Sequence, residues 1–308
     1  MQSRSALARL QQATTLTLLS AALAWLAWHW RDSPALALAG FALIAFGYAV
    51  FLAIEFIMMR FVGAGDPAPR PTWGELGRAW IAETIAAPRV FCWRQPFRWR
   101  EVPDQLAPVP AEPGRRGVVF IHGFVCNRGF WTPWMKELRA RGHCFAAVNL
   151  EPVFGSIDDY VPIVERAVEE VTRATGMPPV LVCHSMGGLV ARAWLCTRRA
   201  HARVHHVVTI GSPHHGTWLA QFSHLKNGRQ MQRRGDWLRC LREQEMAGGN
   251  TGFTCWYTNC DNIVFPASTA TLPGADNRLV RGVAHVELAF HPQVMRDSLD
   301  LIARSGPK

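Results

Sequence analysis

Ser185 is the residue of this chain whose setting best suits covalent chemistry. It follows the apolar run Pro179-Val-Leu-Val-Cys183 within Cys183-His184-Ser185-Met186-Gly187-Gly188, and a helical pattern then runs to about Arg199. A serine on a tight strand-to-helix turn needs small residues at −2 and +2, because the turn brings those backbones close. Gly187 meets the need at +2, and Cys183 stands at −2 where glycine is usual. The helix start at Met186 aims backbone N–H groups at the Ser185 oxygen and at any oxyanion forming there. A serine hydroxyl is a poor nucleophile at neutral pH. It needs a histidine base, and the base needs a carboxylate to orient it. Histidines after Ser185 are His201, His205, His206, His214, His215, His224, His285 and His291, and the acids to weigh are Asp261 and Asp276.

The elements that must position these groups alternate. Gly117–Ile121, Cys144–Val148, Pro179–Cys183, His206–Ile210 and Phe253–Thr258 read as short buried strands, with helices over Trp131–Arg141, from Ser156 to about Arg173, and after Ser185. Ser156 and Asp159 form the capping pair of the second of these. Strands alternating with helices predict an α/β fold with a mostly parallel sheet. In such folds the loops at the carboxyl ends of the strands carry function. Asp261 lies just after one strand, whereas Asp276 sits in Pro273-Gly-Ala-Asp-Asn277, a turn-like composition. His291 precedes Pro292 and reads as the start of the last helix.

Four stretches together resemble the α/β-hydrolases of the bacterial lipase/esterase group over about residues 115–300. They are His122-Gly123-Phe124, Cys183-His-Ser-Met-Gly187, Gly211-Ser-Pro-His-His-Gly-Thr217, and Asp261-Asn-Ile-Val264 ahead of His285, in the order that family requires. The resemblance implies an α/β-hydrolase fold and a triad of Ser185, Asp261 and His285. It implies an oxyanion hole from the N–H groups of Phe124 and Met186, with His122, Gly123, His184 and Gly187 shaping the loops. Residues 217–250, where Trp218, Phe222, Trp237 and Leu241 mix with arginines, correspond to the family's lid region. No cofactor is implied. The His214-His215 pair has no third ligand at a metal-binding spacing, so no metal is expected.

The chain has 308 residues, 49% of them apolar and 18% charged, with 33 Lys+Arg against 23 Asp+Glu and a net charge of +10. That composition excludes a disordered or fibrous chain. Only Arg31, Asp32 and Glu55 are charged between residues 13 and 59. Runs over 13–30 and 35–59 predict two transmembrane helices, about 27 and 37 Å long, around the turn Arg31-Asp32-Ser33-Pro34. Trp25, Trp28 and Trp30 would form an aromatic belt, and Glu55 would reach the interface by snorkelling. Arg4 and Arg9 precede the first run and seven arginines follow the second between residues 60 and 100, against one in the turn. The positive-inside rule then puts both termini and the catalytic part in the cytoplasm, on a bacterial inner membrane.

Residues 61–114, rich in proline, tryptophan and arginine, read as an interfacial linker between the anchor (1–60) and a hydrolase domain (115–308). The arginines are therefore a bilayer footprint and nucleic acid is not an expected partner. The expectation is a membrane-anchored serine carboxylester hydrolase acting on a lipid or other acyl ester. Acyl transfer by the same triad, and an inactive hydrolase-fold interaction protein, stay open at this point. The oligomeric state is not written in the sequence.

Overall fold

The computed structural model describes residues 5–107, 115–246 and 251–304. Arg4, the linker prolines Pro108, Pro110 and Pro113, the last residues of the expected lid (247–250) and the chain end (305–308) lie outside the described residues.

The chain begins with two long helices, α1 (Ala6–His29) and α2 (Pro34–Val62). Ser5 caps the first by accepting the Ala8 N–H, and Ser33 caps the second by accepting the Leu36 N–H. They pack against each other as a hairpin around the expected turn, where the Trp25 indole N–H donates to the Leu36 carbonyl at 3.2 Å. Helix α3 (Trp73–Pro88) follows, opened by a reciprocal capping box between Thr72 and Glu75. A π-helical turn (Arg89–Arg94) then leads into α4 (Gln95–Phe97).

From residue 118 onward the described strands are β1 (Val118–Ile121), β2 (Phe145–Ala147), β3 (Val180–His184), β4 (His206–Ile210), β5 (Phe253–Tyr257) and β6 (Asp276–Leu279). They form a parallel sheet in the order β2-β1-β3-β4-β5-β6. The intervening helices are α5 (Thr132–Ala140), α6 (Val161–Thr175), α7 (Met186–Thr197), α8 (Lys226–Gln230), α9 (Asp236–Met246), α10 (His285–Leu288) and α11 (Pro292–Arg304). Side chains alternate across each strand, so the sheet feeds two cores. Val119, Ile121, Leu181 and Cys183 pack under α6 and α7. Val118, Phe120, Val180 and Val182 pack against Trp131, Trp134 and α11. Helix α6 shows why such segments are helical: Val161, Val164, Val168 and Val171 fall on one stripe, and Gly176 ends it at φ 71°.

The N-terminal third answers expectation only in part. Two membrane spans were expected; among the described residues α2 is the helix long and apolar enough by itself to cross a bilayer. Thr14, Thr15, Thr17, Ser20 and His29 dilute the apolar character of α1, and its first turns are docked on the rest of the protein. There the Ala6 N–H donates to Glu151 at 2.8 Å, and Gln12 donates to the Pro96 carbonyl at 2.6 Å. The stretch expected as linker instead holds a capped 16-residue helix, α3, seated on α2: the Trp80 indole donates to the Ala49 carbonyl, and Tyr48 donates to the Thr84 carbonyl, each at 2.8 Å. Finally, Glu55 does not snorkel. It is 7% exposed and accepts a 2.8 Å hydrogen bond from Asn262. Phe56 and Met59 of α2, Leu76 and Ala79 of α3, and Cys260, Phe265 and Ala284 form a third apolar cluster. Each large side chain buried there contributes roughly 1.5–3 kcal/mol.

Candidate active site

Ser185 stands between the end of β3 and the start of α7 with φ 52° and ψ −128°, a backbone conformation that costs about 1–3 kcal/mol in a non-glycine residue. Its N–H is anchored on the Ile210 carbonyl at 2.9 Å. The turn is tight enough to exclude side chains around it. A Cβ at Gly187 would stand 2.4 Å from the Ile121 carbonyl oxygen, and one at Gly123 would stand 2.7 Å from Ser185 Cβ. Gly123 therefore brings the loop after β1 directly against the serine. Phe124 follows it, half-buried, with its ring edge-on to Phe154 at 6.0 Å. Among the described residues no hydrogen bond engages the N–H of Phe124 or of Met186.

His285 opens α10 and is buried. Its Nδ1 lies 2.9 Å from the Asp261 carboxylate. Asp261 is held in turn by the N–H groups of Ile263 at 3.0 Å and Val264 at 2.7 Å, so the loop after β5 folds around its own carboxylate. A carboxylate at Nδ1 fixes the tautomer and leaves Nε2 as the basic nitrogen. Burial disfavours the charged ring, but Asp261, by charge and hydrogen bond, then Glu83 and Glu55, outweigh it and raise His285 above the ordinary histidine value. Among the described residues no hydrogen bond joins Ser185 to His285. Nucleophile–base contacts are often loose in unliganded sites.

Burial disfavours the charged form of both flanking histidines. His122 is pushed down to about 4 by burial; its Nδ1–H donates to the Gly123 carbonyl and its Nε2 accepts the Leu150 N–H at 3.1 Å. His122 thus ties the β1 loop to the chain after β2. Burial holds His184 well below the ordinary value; its Nε2–H donates to the His285 carbonyl at 3.3 Å, and its ring stacks on Phe130.

The other candidates fall elsewhere. Asp276 is in β6, not a turn, and pairs with Arg278 on the sheet edge. His291 precedes α11, as expected. His214 is buried beside Thr209 and Cys255. Among the described residues no cluster of His, Cys, Asp or Glu could hold a metal, and the eight cysteines are free.

Most of the expected lid is fastened down. Glu245 of α9 grips the buried Arg192 of α7 with both carboxylate oxygens, at 2.6 and 2.7 Å, and Arg192 also donates to the His214 carbonyl. Asn227 donates to the Val153 carbonyl at 2.9 Å, and the Trp237 indole to Asp158. The part beside the site is the 3-10 turn Trp218–Phe222, where Trp218 stacks on Phe265 of the acid loop.

Sequence reasoning missed what the N-terminal helices bring. Asn262 donates to Glu55 of α2 and accepts the His285 N–H at 3.4 Å. Glu83 of α3, 2% exposed, accepts the N–H groups of Val286 at 3.0 Å and Glu287 at 3.1 Å. Gln11 of α1 donates to the Val125 carbonyl, one residue beyond Phe124. A local signal existed for Glu83: with Leu76 and Ala79 it falls on the buried stripe of α3, where an acid is out of place.

Residues 118–298 match a family model described as "Alpha/beta hydrolase family", and α1–α4 lie outside that match. Among solved structures the chain is similar to the Bacillus licheniformis lipase BlEst2 in mature form, with 19% identity and a TM-score of 0.57 over 64% of this chain and 96% of that one. It is similar to Aspergillus fumigatus lipase B with 18% identity and a TM-score of 0.55, over 65% of this chain and 56% of that one. At such identities the likeness is one of fold. No curated protein matches the chain.

Proposed function

The chain belongs to the alpha/beta hydrolase family, and from that premise we propose that it is a membrane-anchored serine carboxylester hydrolase of the lipase/esterase kind. The observation that carries the reading is Ser185 at φ 52°, strained on the strand-to-helix turn beside the buried Asp261–His285 pair. Ser185 Oγ attacks the ester carbonyl carbon while its proton passes to His285 Nε2, and Asp261 steadies the imidazolium through Nδ1–H. The N–H groups of Phe124 and Met186 receive the oxyanion. Collapse of the tetrahedral adduct expels the alcohol, which takes the proton from His285. Water then repeats the sequence on the acyl-enzyme and frees the acid.

The anchor supports a lipid substrate. Helix α2 has a stretch of mean hydropathy 2.3 that is 6% buried. Leu16, Leu19, Leu43, Phe46 and Trp28 leave the hairpin apolar on its outside, while the foot of the hairpin meets the oxyanion loop and the acid loop. In this reading residues 1–60 anchor the chain, α1 crosses the bilayer alongside α2, and residues 115–308 form a hydrolase domain on the cytoplasmic face, its mouth at the membrane surface. The test is a panel of p-nitrophenyl esters from acetate to palmitate, offered to detergent-solubilised protein. Hydrolysis favouring long acyl chains and abolished in Ser185→Ala is expected. Preference for acetate would overturn the lipid assignment, and activity surviving in Ser185→Ala would overturn the mechanism.

A further inference from the structure

Helix α3 lies outside the stretch that matches the hydrolase family, yet it reaches the loop that carries His285. We propose that Glu83 is a positioning residue for the catalytic histidine: its buried carboxylate clamps the two amides that follow His285 and so holds the ring that takes the proton. The inference rests on the reading of His285 as the general base.

The geometry is specific. Oε1 of Glu83 accepts the Val286 N–H at 3.0 Å, and Oε2 accepts the Glu287 N–H at 3.1 Å, so both oxygens are committed and the carboxylate plane is fixed. The segment is held from other sides as well. Glu287 accepts the Ala284 N–H at 3.1 Å, Arg78 donates to the Gly282 carbonyl, and Glu55 reaches the His285 N–H through Asn262. The charged and titratable groups around Glu83 are thus His285 and Glu287 on the loop and α10, Asp261 on the acid loop, Glu55 on α2, and Arg78 on its own helix.

An apolar residue would fill this place on the stripe of α3 without the cost of burying an acid. Burial pushes Glu83 up to about 7, against the pull of the Val286 N–H, His285 and the Glu287 N–H. Its charged form adds to Asp261 in raising His285.

Glu83→Gln keeps the size and removes the charge, and its amide N–H₂ would oppose one of the two backbone N–H groups. The test compares pH profiles of kcat and kcat/KM for the full-length wild type, Glu83→Gln and Glu83→Asp, on the p-nitrophenyl ester the wild type hydrolyses best. For Glu83→Gln the acid limb is expected to move down by ~0.5–1 pH unit, because a negative charge near His285 is gone. Its kcat is expected to fall about tenfold with KM within about twofold, because geometry rather than binding is lost. Glu83→Asp should keep the limb of the wild type.

A folded Glu83→Gln with wild-type limb and kcat would overturn the proposal, as would an equal shift in Glu83→Asp. If Glu83→Gln does not fold, Glu83→Asn against Glu83→Asp makes the same charge comparison. Loss of folding in both neutral variants, with Glu83→Asp folded and unchanged in limb and kcat, would make Glu83 a fold determinant only and also overturn it. An inactive wild type would overturn the hydrolase reading itself, and this inference with it.

Discussion

At the scale of residues, the proposed chemistry rests on a strained serine and a buried histidine–carboxylate pair. The base must be neutral to accept the proton from Ser185, and Asp261 and Glu83 favour its charged form. Raising sets the sign: activity is lost as the pH falls through the histidine value, which lies above that of an ordinary histidine. The acid limb of kcat/KM should therefore have its midpoint above the ordinary histidine value, and a midpoint below it would contradict the electrostatics described. Asp261→Asn keeps the size but offers Nδ1 the wrong partner. It should lower kcat on the order of 10⁴-fold, as expected when the tautomer is no longer fixed. Single-turnover hydrolysis measures both.

At the scale of elements, the sequence carried the sheet and left the N-terminal third obscure. Strands such as Val180–His184 and His206–Ile210 are short and apolar because helices cover both faces of the sheet, so local patterning sufficed. The edge strand Asp276–Leu279 is polar and half-open, and its first two residues, Asp276 and Asn277, read as part of a turn for that reason. Ser185, Asp261 and His285 could be named from chain order together with the family resemblance, and the structure brings the latter two to 2.9 Å. Glu55 and Glu83 could not be paired with the site, because their partners Asn262 and Val286 are about 200 residues further on and only tertiary packing joins them. The fastened state of α9 was equally hidden. Arg192 is 1% exposed and depends on Glu245. Glu245→Ala should cost about 3 kcal/mol by stranding a buried guanidinium. Chemical denaturation in detergent checks this, and an unchanged midpoint would mean that the His214 carbonyl alone suffices for Arg192.

At the scale of the whole molecule, the proposed reading makes the hairpin both anchor and wall. Its outer surface is apolar over most of its length, and its foot is bonded to the loops after β1 and β5. In that reading the hairpin is an integral part of the catalytic unit rather than a tether. Deleting residues 1–60 should therefore do more than solubilise the protein: it strips Glu55 from Asn262 and exposes the cluster around Phe265. We expect loss of hydrolysis even toward a soluble short-chain ester. Full activity of the truncated chain would show that the hairpin serves attachment alone. Protease added outside spheroplasts should leave the hydrolase domain intact, and digestion from that side would reverse the orientation inferred from the arginines.

The central claim is that Ser185 is an activated nucleophile. The most direct measurement is covalent labelling of the detergent-solubilised full-length protein with a fluorophosphonate, read by mass spectrometry of the peptide that contains Ser185. We predict one adduct on Ser185, absent from Ser185→Ala and strongly slowed in His285→Ala. A wild type that takes no label, or takes it on another residue, would contradict the account.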